Sequence, residues 1–233
     1  LSIFSAHGAC MDHIHISRLW NLLAKHLRAL GERSGRDRAS WLARHRAPIA
    51  ALLDATEPAL RKCNAQGLAN IASGLAHCGE ATTVSAELMR VYSALTEVSV
   101  AKINGFGPQA LANTAWAFAK ARQKGWPAEH LAAQANALFA AIARAAGPQL
   151  ASFNALDLAN TAWAFARGAP RQIHRPLLEA LSARAASTLG DFSAQALANT
   201  VWAYHFAKVS APSLLGGALR EALRVLETPP RAG

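Results

Sequence analysis

A nine-residue pattern recurs along this chain and sharply limits what the chain can fold into. It reads LANTAWAFA at 111–119, LANTAWAFA again at 158–166, and LANTVWAYH at 197–205. A fainter copy, LANIASGLA, stands at 68–76. Repetition at a fixed frame is the signature of an architecture built from stacked copies of one supersecondary unit. Phe106, Phe153 and Phe192 lie seven residues before Asn113, Asn160 and Asn199, and Cys63 bears the same relation to Asn70. A fifth copy, MDHIHISRLWNLLAK from Met11 to Lys25, fits the frame with Ile16 at the Leu position, Arg18 at the Asn position and Leu23 at the Phe position. The equivalent residues Arg18, Asn70, Asn113, Asn160 and Asn199 are spaced 52, 43, 47 and 39 apart. The longest gap holds the polar, Gly-bearing run GERSGRDRAS, which reads as a loop or insertion.

Each unit has room for two helices. The first starts near the second motif residue. At 153 the Asn154 side chain is a good N-cap, and Asp157 falls at the third helical position, where a carboxylate faces the positive helix start. Phe153 and Leu158 have the spacing of a hydrophobic staple. Phe192/Leu197, Phe106/Leu111 and Met11/Ile16 repeat it, with Ser193, Gly107 and Asp12 as caps and Pro108 at the first helical position. The second helices are expected in TTVSAELMRVYSALTEVS, WPAEHLAAQANALFAAIARAAG, HRPLLEALSARAASTLG and APSLLGGALREALRVLE. The third of these four runs begins at His174, and the second at Trp126, its helix starting at Pro127 with Leu131, Leu138 and Ile142 on one stripe. In the first unit it should cover 39–60, interrupted at Pro48. No run alternates strictly enough to require a strand. The prediction is an all-α, single-domain α-solenoid over 1–233, of about five helix-turn-helix repeats of roughly 39–52 residues. Its units are 11–62, 63–105, 106–152, 153–191 and 192–230.

On a helical wheel Ala162 and Phe165 fall within about 40° of Leu158, a face for the partner helix. Asn160, Trp163 and Arg167 form a second stripe on the far side. The same stripe reads Asn113, Trp116, Lys120 one unit earlier, and Asn199, Trp202, Phe206 with Lys208 nearby one unit later. In the outer units it degrades to Asn70, Ser73, His77 and to Arg18, Asn21, Lys25. Amide, aromatic and cation in order suit single-stranded nucleic acid: base edge, base face and phosphate. A packing role competes with that reading, because an Ala-rich helix that is apolar on two sides should bury both. Asn70, Asn113, Asn160 and Asn199, with Trp116, Trp163 and Trp202, are therefore assigned to packing between repeats. The Trp would fill the seam and the Asn would bond a neighbouring backbone. Constant residues cannot discriminate between bases; variable ones at the helix start can. These are Gln66/Gly67, Gln109/Ala110, Leu156/Asp157 and Gln195/Ala196, with His15 in the first unit. The candidate RNA contacts are thus Arg18, Lys25, Gln66, Gln109, Lys120, Lys124, Asp157, Arg167, Arg171, Gln195 and Lys208.

The chain carries a formal net charge of +10 and a pI near 10.4, which favours an anionic partner. Residues 1–62 hold 10 of the 24 Lys and Arg against 5 of the 14 acids. At 52% hydrophobic the chain is no disordered tail, and no window offers a membrane span or a signal peptide. It begins at Leu1 rather than Met, which points to a processed or trimmed product. The cysteines Cys10, Cys63 and Cys78 form neither a disulfide framework nor a zinc set, and fit a reducing compartment. There is no GxSxG, P-loop, HExxH or dinucleotide fingerprint, and no convincing carboxylate pair. A non-catalytic protein is expected, with no cofactor, metal or small-molecule substrate.

LANTAWAFAK, LANTAWAFAR and LANTVWAYHF, each preceded by FxxQ or a variant, resemble the octotricopeptide repeats of algal organelle proteins. Those repeats are related to the helical repeats that accompany RAP domains and FAST-kinase-like proteins. The resemblance is strong over 106–208 and weak before 63. It implies a protein of a mitochondrion or, alternatively, a chloroplast, binding mRNA or rRNA in translation, maturation or stability; some such proteins are architectural subunits of organellar ribosomes. This chain departs from the fuller pattern in having about five units, long spacings of 43, 47 and 52, and no RAP-like C-terminal region. A short stack with ends that are not evidently capped should either belong to a longer chain or be covered by partners. The expectation is therefore an rRNA-binding subunit of an organellar ribosome, with neighbouring proteins of that ribonucleoprotein as further partners. A transcript-specific mRNA factor or a protein–protein scaffold is the alternative.

Overall fold

A computed structural model describes residues 1, 4, 7–78, 86–123 and 129–227. Among them the protein is all-α, with no strand. Its helices are α1 (His13–Arg33), α2 (Gly35–Arg44), α3 (Arg46–Ala59), α4 (Ala65–Cys78), α5 (Ala86–Ala101), α6 (Pro108–Gln123), α7 (Glu129–Ala146), α8 (Ala155–Gly168), α9 (Arg171–Ser187), α10 (Ala194–Ala207) and α11 (Pro212–Glu227). None is long and apolar enough to cross a membrane.

Every motif copy opens the same way. A short 3-10 turn ends on the residue before the motif, and the first motif residue turns extended. Its N–H donates three residues back: Met11 to Gly8, Cys63 to Leu60, Phe106 to Ile103, Phe153 to Leu150 and Phe192 to Leu189, all within 3.0–3.2 Å. The next residue caps the helix. Asp12, Asn64, Asn154 and Ser193 each accept a hydrogen bond from an N–H of the first turn. At Asn154 the bond is reciprocal, because Asp157 accepts from the Asn154 N–H at 3.3 Å. Gly107 has no side chain to offer, and Pro108 behind it removes one of the donors that would need one.

The motif helices pack in succession, α1 on α4, α4 on α6, α6 on α8 and α8 on α10. The intervening helices do the same, α3 on α5, α5 on α7, α7 on α9 and α9 on α11. Between the two rows lies the core, with Leu111, Phe118, Leu138, Phe139, Leu158 and Phe165 at most 1% exposed. Each such side chain contributes about 1.5–3 kcal/mol by leaving water.

A motif helix has two further buried edges, and both are built from small residues. The edge facing the preceding helix reads Ala110, Thr114, Ala117, Ala121 in α6 and Asp157, Thr161, Ala164, Gly168 in α8. The edge facing the following helix includes Ala112, Ala115, Ala119 and Ala159, Ala162, Ala166. Small side chains let the backbones approach closely. A Cβ on Gly168 would lie 2.5 Å from Phe139 Cζ and 3.0 Å from Ala119 Cα. In α1 the position matching Ala115 and Ala162 carries Trp20, fully buried, whose indole N–H donates to Thr56 Oγ1 at 2.8 Å. Its bulk is accommodated by Gly74 of α4, where a Cβ would sit 2.5 Å from the Trp20 ring.

Two expectations for the first unit are corrected. Of the two readings of GERSGRDRAS, loop or insertion, the loop fails: α1 runs to Arg33 and the added helix α2 starts at Gly35, with Ser34 alone between them. The Ser34 hydroxyl accepts from the N–H groups of Arg36 and Asp37, so a single capping residue ends one helix and starts the next. The second break falls at His45, not at Pro48. Pro48 is the third residue of α3, before the first intrahelical bond (Ile49 N–H to His45 O), so its missing donor costs nothing there. The expected start of the second helix at Pro127 lies outside the described residues. The run at 174–190 starts earlier than expected, at Arg171.

Candidate nucleic-acid interface

The polar stripe survives folding as a half-buried face running across successive motif helices. His77 of α4 lies 5.3 Å from the Trp116 ring of α6, and Trp116 lies 6.4 Å from Trp163 of α8. The Lys120 ammonium sits 5.0 Å above the Trp116 ring. Farther on, the Arg167 guanidinium of α8 reaches across to α10, 5.4 Å from Trp202 and 5.1 Å from Phe206. Those two rings stack at 4.8 Å with 16° between their planes. Each contact joins stripe residues one turn apart or on adjacent helices, so rings meet rings and a cation lies against a ring in each of two runs.

Trp116 and Trp163 are partly buried against the core and meet each other between α6 and α8, beside the fully buried Ala, Thr and Gly edges. Trp202, on the last motif helix, is 38% exposed. The expected Asn ladder is not formed. Asn70 and Asn199 accept hydrogen bonds from Gln66 and Gln195 one turn earlier, at 3.0 and 2.9 Å. Asn113 and Asn160 are half-buried and make no hydrogen bond to the protein among the described residues. The wheel explains why. Asn sits opposite the core face, away from the two edges where a neighbouring backbone comes close. Its amide is left on the open face, with donors and acceptor available.

Among the helix-start pairs only one member is exposed. Gln66, Gln109, Leu156 and Gln195 are exposed, while Gly67, Ala110, Asp157 and Ala196 are buried on the edge facing the preceding helix. Asp157 is therefore withdrawn as an RNA contact. It is 5% exposed and caps its own helix, and burial pushes its carboxyl above the usual range against the opposing pull of the Asn154 N–H. Arg18 and Lys25 are exposed on α1, in the frame of the stripe. Arg171 is exposed at the first position of α9, in the turn leaving α8. Lys208 is exposed in the left-handed conformation that ends α10 (φ 54°, ψ 43°), and belongs to the end of the molecule rather than to the stripe. His15 is exposed and held 2.7 Å from the Asp12 carboxylate. Lys124 lies outside the described residues.

Folding also gathers cations that the frame did not place. Arg28 of α1, Arg38 of α2 and Lys120 of α6 all act on His77. Burial, reinforced by these charges against the bond from its Nδ1 to Ser73 O at 2.8 Å, pushes the His77 imidazole down to about 4. Lys120 is held below its ordinary value by burial first and Arg38 second. Arg38 escapes a repeat-frame reading because α2 has no counterpart in later units, and Arg28 because it lies on α1 beyond the last stripe position, Lys25; packing brings both within electrostatic reach of His77. Arg122 is structural, donating to Asn136 Oδ1 at 2.8 Å and to the carbonyl of Gly168 at the end of α8. Aromatic faces, open amides and clustered cations together offer stacking, hydrogen bonding and charge to an extended anionic chain. No family model matches the chain and no curated protein matches it significantly in sequence.

Proposed function

We propose that this chain is a non-catalytic RNA-binding α-solenoid of about five helical repeats, acting in organellar gene expression as an architectural rRNA-binding subunit of a mitochondrial ribosome. The observation that carries the RNA reading is the pair of contact runs along the stripe, His77, Trp116 and Trp163 with Lys120 over Trp116, and Arg167 against Trp202 and Phe206. Unpaired bases would stack on the half-exposed rings and hydrogen-bond the free Asn113 and Asn160 amides, while Lys120 and Arg167 meet phosphate. The net charge of +10 supplies the long-range attraction. The two rows of successively packed helices support the solenoid, since each helix pair contacts only its neighbours in such a stack. The organellar ribosome setting rests on the motif resemblance.

Titration with single-stranded RNA at several salt concentrations tests this reading. Affinity should fall with salt, and the log–log slope should shrink by about 0.7 for each phosphate-contacting cation removed, so by about 1.4 in Lys120→Glu/Arg167→Glu. No binding at low salt, or equal slopes in parent and variant, would count against it. If the variant still assembles with its native particle, the protein–protein scaffold is the better reading.

A further inference from the structure

The last helix pair, α10 and α11, leaves open a face that every earlier pair buries. Ala159, Ala162 and Ala166 of α8, on the edge toward α10, are at most 6% exposed. Their counterparts in α10 are Ala198, Val201 and His205, and all three are exposed. Beside them on α11, Leu219 and Leu223 are 64% and 50% exposed. Between the two helices opens a cleft of about 1180 Å³, walled mainly by apolar atoms, with His205 and Lys208 at its rim. Elsewhere in the molecule this register always receives the same thing, the small-residue edge of another motif helix with its partner helix alongside. The cleft is continuous with that interface.

We infer that the α10–α11 face is a docking site for a helix pair of a partner protein. The first helix of that pair would present small residues where α8 has Thr161, Ala164 and Gly168. Val201 stands where Ala162 stands in α8 and is bulkier, as Trp20 is in α1. Trp20 is accommodated by a glycine on the facing helix, so the occupant requires Ala or Gly opposite Val201. Leu219 and Leu223, one turn apart, call for an apolar second helix. A second copy of this chain offers the wrong edge: the matching positions of α1 hold His15, Leu19, Leu22 and His26, and His26 packs on Trp41 at 4.8 Å. Those side chains hold a neighbouring backbone farther away than Gly168 does.

The probe is a copy of residues 153–187 joined through a flexible linker after Gly233 of the full chain, which raises its effective concentration at the cleft. Residue 198 is changed by Ala198→Cys, and maleimide labelling at that position is followed by mass spectrometry. Docking should slow labelling at least tenfold relative to the chain without the appended copy. Ala164→Glu and Gly168→Glu in the appended copy alone should restore the fast rate. Unchanged labelling in the fusion overturns the proposal, and so does equal protection by the Glu-bearing copy. Protection that rises with concentration in the unfused chain would assign the face to a second copy, which also overturns it. RNA plays no part in this measurement, so the outcome is independent of the stripe.

Discussion

α8 and α10 carry nearly the same motif, LANTAWAFAR and LANTVWAYHF, yet they occupy different physical environments. α8 lies between two motif helices, and both of its small-residue edges are dry. α10 has a neighbour on one side, so Thr200, Ala203 and Ala207 are buried while Ala198, Val201 and Trp202 meet solvent. A small apolar residue in this frame thus has no intrinsic burial. Its contribution depends on whether the next helix is present, and equivalent substitutions in the two helices should separate accordingly.

The largest contrast should come from charge. Ala159→Asp places an unpaired carboxylate on a closed edge and should cost about 3–5 kcal/mol, whereas Ala198→Asp, at the equivalent open position, should stay within about 0.5 kcal/mol. Urea unfolding midpoints of the two variants measure this, and similar midpoints would mean that the α10 edge is covered. Next comes the core. Phe165→Ala should cost about 3–5 kcal/mol, and Phe206→Ala, at a site 47% exposed, under about 1 kcal/mol.

A third contrast sets His77 against its frame counterparts Lys120 and Arg167. The folded chain holds His77 neutral down to about pH 4, while in the unfolded chain it titrates near 6.5. The unfolded state therefore binds the extra proton first as pH falls. Stability should be flat in this respect above pH 6.5, decline between 6.5 and about 4, and level off below. Removing the imidazole by His77→Gln should flatten that window in pH-dependent urea unfolding; an unchanged slope would assign the effect to other groups. The smallest effect concerns the caps. Asn154→Ala breaks a reciprocal cap and should cost about 1 kcal/mol, while Ser193→Ala, which loses a single 3.2 Å bond, should cost less. Thermal unfolding of the pair resolves the difference.

Much of the fold was legible because it rests on local chemistry. Caps at Asp12, Asn154 and Ser193, Phe–Leu spacing and the 3.6-residue period locate the motif helices to within a residue or two. The first unit resisted, because Gly35 and Pro48 look like breakers. Ser34 sets one boundary by capping α2, and His45 the other, its ring bonding back to the Trp41 carbonyl at 2.8 Å; composition announces neither. The stripe was legible as a pattern, but not the division of labour within it. Asn113 and Asn160 seemed to be joints because they are constant, yet they lie where no neighbouring backbone comes near. Asp157 seemed available because it varies, yet it caps its own helix.

The sequence by itself determined that this chain is helical, where its motif helices begin, and which face of each carries amide, aromatic and cation. Those properties follow from backbone hydrogen bonding and side-chain period within some fifteen residues. Only the tertiary structure decided which small-residue edges are closed, that Arg28, Arg38 and Lys120 act together on His77, and that α10 and α11 keep an apolar face open. Those outcomes depend on distances between helices far apart in the chain, and on whether a further helix is there to exclude water.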